Sequence, residues 1–223
     1  MNRKRTYMAS VSRAVATVCL LTPLVAWAQT PERSRTEGLK ETDRFVKAGG
    51  ATAAAVATAK AEVEKTLTAY NTLVAQPSKD MKGDYKKLMK SVDSMNKKVT
   101  EATTKIGAMQ AAGDTYFQGR GGTIKNIQDK ALQSQAQQRL AQSQKEFGDV
   151  LTSLKDAGGA LEPVRKQLAD QITFLGSDLN PSATASLKPR AEKLNSEGTA
   201  VFTKADQAIT KANDYFNGLK SQS

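Results

Sequence analysis

The chain has 223 residues, a formal net charge of +11, one cysteine and no histidine. The missing histidine removes the commonest general base and the commonest metal ligand, and a single cysteine excludes a disulfide framework within the chain. Its length suits one domain behind an N-terminal segment.

That segment is read first. Arg3, Lys4 and Arg5 precede an apolar stretch from Ala14 to Trp27, which ends in Ala26-Trp27-Ala28 before Gln29. Positive charge, a short apolar run and small residues at Ala26 and Ala28 predict a secretory signal peptide over residues 1–28, cleaved after Ala28, and hence a periplasmic or secreted protein. A retained signal anchor would need a longer apolar run. Lipidation at Cys19 would need a small residue before it, and Val18 is bulky. Cleavage removes four cations and no acid, so the charge falls to +7, and the mature chain holds no cysteine at all.

Residues 29–40 carry Pro31 and mixed charges without periodicity, and are expected to form a flexible leader ahead of a helical domain at 41–220. A first helix is predicted from about Glu41 to Ala75, on the stripe Phe45, Gly49, Thr52, Val56, Ala59, Val63, Thr66, Tyr70 and Leu73. Gln76, Pro77 and Ser78 make a turn, because proline cannot continue the ladder.

A second helix begins near Lys79 or Asp80 and carries the clearest heptad stripe, from Met81 through Leu88, Val92, Met95, Ala102, Ile106, Met109 and Gly113 to Tyr116. Lys86, Lys87, Lys90 and Lys97 fall at outward heptad positions when Tyr85 is taken as a. Such a face is in the first instance a solvated one; its second reading is a contact for an anionic partner. Gly119, Arg120, Gly121 and Gly122 predict a helix break, and with Lys125 they miss the spacing of a phosphate-binding loop.

The third helix is predicted from about Thr123 to Ser177. It is glutamine-rich at first, then has Leu140, Phe147, Leu154, Leu161, Leu168 and Leu175 seven apart. Its companion positions Val150, Ala157 and Val164 then shift to Ile172 and Leu179, which adds a four-residue step, a stutter, and Gly158, Gly159 and Pro163 predict a kink just upstream. Asn180 and Pro181 suit the cap and first position of a fourth helix reaching Lys220, with Pro189 expected to stop or bend its start. The fold expected is therefore all-α: an elongated, antiparallel, coiled-coil-like four-helix bundle with a kinked long third helix. Many seam positions are Ala, Gly or Thr, so its helices must approach closely to pack.

Chemistry leaves few traces. Two carboxylates could serve a hydrolase without histidine, which directs attention to Asp156, Glu162, Asp170 and Asp178. Asp156 and Asp170, however, stand about 21 Å apart along one helix face, too far to share a reacting bond. No calcium-loop pattern occurs, and no serine or threonine has a distinguishing neighbour. No catalytic, cofactor-binding or metal-binding residue is expected. The aromatic pairs Tyr116-Phe117 and Tyr215-Phe216 are expected in the core at helix ends.

The stretch Leu161-Glu162-Pro163-Val164, Leu168, Asp170-Gln171-Ile172, Leu175, Leu179-Asn180 and Ala185-Ser186-Leu187-Lys188, with a Tyr-Phe pair before the third helix, resembles a family of secreted bacterial helical proteins. That family is catalogued as domain of unknown function twenty-nine fifty-nine. The resemblance implies an exported, coiled-coil-rich envelope protein and carries over no functional residues. The functional expectation is a non-enzymatic envelope protein acting through helical surfaces, with an unidentified protein or a second copy as partner. One alternative is a basic binder of an anionic membrane surface or cell-wall polymer through Lys79, Lys82, Lys86, Lys87, Lys90, Lys97 and Lys98. The other is a carboxylate hydrolase. Nucleic acid is not expected, since an exported protein rarely meets it and the charges are spread along helix faces.

Overall fold

The structure, a computed structural model, describes residues 30–221, with side chains from Glu37 onward; the signal peptide expected at residues 1–28, with Cys19, lies outside them. Four helices follow in order: α1 (Thr30–Ala75), α2 (Met81–Lys125), α3 (Lys130–Ser177) and α4 (Pro181–Ser221). No strand occurs among the described residues, and none of these helices is long and apolar enough to cross a membrane.

The helix boundaries correct the sequence reading in three places. Residues 30–40, expected as a flexible leader, form the start of α1. Pro31 sits in the first turn, where its missing N–H has no ladder partner and its fixed φ suits a helix. The Gly119–Gly122 stretch, expected as a break, is inside α2. Glycine weakens a helix by about 1 kcal/mol relative to alanine but leaves the ladder intact. Here neighbours use the space: the Glu41 side chain lies against Gly119, and Leu140 covers Gly121. The chain turns instead at 126–129, so α3 starts at Lys130 and not near Thr123. Asp129 caps it, accepting hydrogen bonds from the backbone of Ala131 (2.8 Å) and Leu132 (3.1 Å).

Thirdly, Pro189 neither stops nor shortens α4, which runs unbroken from Pro181; α3, expected as one long helix, is continuous through Pro163. Both prolines are exposed, so neither ring intrudes on the seam. The other caps fall as read: Asp80 accepts from Gly83 N–H (2.9 Å), and Asn180 from Ala183 N–H (2.9 Å).

Every sequential pair is antiparallel. The Thr52 and Thr66 hydroxyls on α1 lie 3.0 Å and 3.2 Å from the Lys105 and Ser91 carbonyls of α2. Arg165 on α3 reaches Asn96 on α2, and Gln167 reaches Glu197 on α4. Lys60 and Asn71 of α1 pair with Asp206 and Asn195 of α4, closing the ring. α2 and α4 lie on opposite sides without contact, while α1 touches α3 across the diagonal.

The stripes turn inward as their periods require, and the core divides in two. At one end Phe45 is surrounded by Tyr116, Phe147 and Phe216, with ring centroids 5.0, 4.9 and 5.1 Å away. Such pairs contribute about 0.5–1.5 kcal/mol each beyond area burial. Tyr116, Phe117 and Phe216 are buried and Tyr215 half-buried, so both aromatic pairs serve the core. Toward the other end Leu88, Met95, Leu161, Leu168, Leu175, Leu187 and Leu194 pack around Tyr70. Between the two lie small residues, among them Ala59, Ala102, Ala157 and Ala205.

Candidate functional site

Because the α2 seam is buried against its neighbours, its b, c and f positions must face outward. Lys82, Lys86, Lys90 and Lys97 are all exposed, as is Lys79 in the turn before the helix. At 100° per residue the four on the helix fall within an arc of about 80°, and Lys82 to Lys97 spans about 22 Å along the axis. None of the five is ion-paired, although Asp93 is exposed among them.

The other two lysines of the sequence-derived set stand apart. Lys87 pairs with Asp84 at 3.0 Å and Lys98 with Glu101 at 2.9 Å. The Ser78 hydroxyl (2.6 Å) and then Lys87 hold the Asp84 carboxyl below its ordinary value, and Lys98 does the same for Glu101. Lys87 is raised in return by Asp84. These two cations therefore have partners already, as do Lys60 with Asp206, Lys65 with Glu62 and Lys193 with Glu197. Beyond Lys97 the outward face of α2 continues with exposed, uncharged Thr100, Thr104, Ala108, Ala111, Thr115 and Gln118.

A cleft of about 680 Å³ lies between α3 and α4, lined by Arg139, Ser143, Glu146, Asp149, Lys211 and Tyr215 among others. Sequence reading missed it, because no spacing within either helix announces a groove formed between two. The Ser143 hydroxyl lies 3.0 Å from the Tyr215 hydroxyl, and burial pushes that phenol up to about 12, so it keeps its proton at neutral pH. Lys211 stands 3.4 Å from the Ser153 oxygen, and Ser153 donates to the Asp149 carbonyl at 2.8 Å. A serine accepting from an ammonium and donating to an amide is held as a neutral alcohol, the opposite of an activated nucleophile. A smaller groove of about 410 Å³ between α2 and α3 is floored by Phe117 and Phe147.

The four carboxylates singled out from sequence do not converge. Asp156, Asp170 and Asp178 are exposed, and none of the four lines either groove. Glu162 is clamped by Arg165 through two bonds of 2.6 and 2.8 Å, which lowers its carboxyl below the usual range. Among the described residues no group of three or more Asp, Glu, His or Cys side chains could hold a metal ion.

Comparison with known proteins gives one match. A family model described as protein of unknown function (DUF2959) matches residues 32–219. No curated protein and no solved structure matches the chain.

Proposed function

The chain belongs to the DUF2959 family, and because that family lends it no activity, we propose from its own residues that it is an exported, non-enzymatic envelope protein working through its outer helical faces. The observation that carries this reading is the closure of all four heptad seams within one chain: the residues that could have served as an interface are spent on the core. What remains for a partner is the outside of the helices. The larger cleft supports the same reading, since its Ser143 and Tyr215 hydroxyls are bonded to each other and not to a base.

Export is supported by the Arg3-Lys4-Arg5 start, the apolar stretch to Trp27 and the small residues at Ala26 and Ala28. Mass spectrometry of the protein recovered from fractionated cells tests it. A chain beginning at Gln29 outside the cytoplasm is expected; an intact Met1 form confined to the cytoplasm would refute export.

A further inference from the structure

We propose that the unpaired lysine stripe of α2 is a docking face for the surface of an anionic lipid bilayer. This deepens the reading of the protein as one that acts by surface contact. It is independent of where the N-terminus is cut.

Charge complementarity carries the proposal. Lysines on the flanks of α2 are neutralised by Asp84 and Glu101, whereas Lys79, Lys82, Lys86, Lys90 and Lys97 point outward unpaired. An arc of about 80° on one helix is shallow enough for flexible lysine stems to bring every ammonium group to a common plane. Met89, 38 % exposed, stands at the edge of the stripe and offers an apolar contact for the headgroup boundary. Further along this arc Thr100, Thr104, Ala108, Ala111, Thr115 and Gln118 are uncharged. Its exposed acids are Asp93 among the lysines, outnumbered by them, and Asp114 at the margin, so the face as a whole stays positive and the helix can lie along a negative surface. A thread-like polyanion is a poorer fit: it would be followed by cations along its length, and on this face they stop at Lys97.

The test is co-sedimentation of the full chain, as purified from cells, with phosphatidylcholine vesicles with and without phosphatidylglycerol, at low and high salt. A lysine near such a surface adds about fivefold in binding. The quadruple variant Lys82→Gln, Lys86→Gln, Lys90→Gln, Lys97→Gln should therefore lose about two to three orders of magnitude. A control with the same charge change on exposed lysines elsewhere, Lys47→Gln, Lys145→Gln, Lys188→Gln, Lys204→Gln, should lose far less. Since all eight positions are exposed, helical circular dichroism should be unchanged in both.

Salt should release the unmodified protein, because exposed charges are screened within about 10 Å at ordinary ionic strength. Equal losses in the two variants would overturn the proposal, as would equal binding to neutral vesicles. Binding of any residual apolar leader is salt-insensitive and common to all variants, so it cannot mimic the expected difference. Lysine-dependent pelleting with peptidoglycan or capture on immobilised polyphosphate, without vesicle binding, would assign the stripe to a polymer and refute the bilayer.

Discussion

At the scale of single residues, the few polar groups inside the bundle decide its register. The Tyr70 hydroxyl is buried and donates to Gln171 Oε1 at 2.5 Å, a bond between α1 and α3 across the diagonal. Removing only the donor strands a buried acceptor, so Tyr70→Phe should cost about 1–3 kcal/mol in chemical denaturation. Adding Gln171→Leu should return part of it, whereas a double variant as unstable as the sum of both singles would show that the bond is not the cause. Burial also pushes the Tyr70 phenol up from 10.0 to about 12, and Tyr215 likewise. The folded chain then keeps protons that the unfolded chain releases, so this stability is complete below about pH 10 and declines as pH rises to about 12. Tyrosinate absorbance and helical circular dichroism, followed together through that window, should change in concert, and a tyrosine signal that completes before helix loss would contradict the assignment.

Elements show why the same residue type carries opposite meanings on one helix. A Cβ at Gly113 would stand 2.5 Å from the Phe147 ring, which is buried and cannot swing away. A Cβ at exposed Gly107 on the same helix meets nothing within 4 Å. Gly113→Ala should therefore destabilise by about 1–3 kcal/mol through overpacking, and Gly107→Ala should stabilise by up to about 1 kcal/mol through helix propensity. Thermal melts of the two single variants check both signs. The same contrast explains how much of the fold was legible in the sequence. Period gave the seams of all four helices, since Phe45 to Leu73 and Leu88 to Tyr116 turn inward with few exceptions. Propensity misplaced the α2–α3 turn, because Gly119–Gly122 looked like a break while the caps at Asn126 and Asp129 went unread. Tertiary contact with Glu41 and Leu140 outweighed a local cost of about 1 kcal/mol per glycine.

For the whole molecule, closure of every seam inside one chain predicts a monomer. Light scattering on the purified protein should return the mass of one chain at micromolar concentration, and a stable dimer would require a second interface on the outer faces. The lysine surface was half legible: heptad phase placed Lys86, Lys90 and Lys97 outward. What separates them from Lys87 and Lys98 is a local spacing that heptad phase does not read, an acid three residues away at Asp84 and Glu101. Sequence by itself determined the class of fold, the inward stripes, the family resemblance and the absence of histidine, because periodicity and composition are properties of the chain alone. Tertiary structure alone decided where α2 ends and where α3 and α4 leave a cleft. Each of these depends on which side chain of one helix stands beside which of another, and that distance is set only when the helices dock.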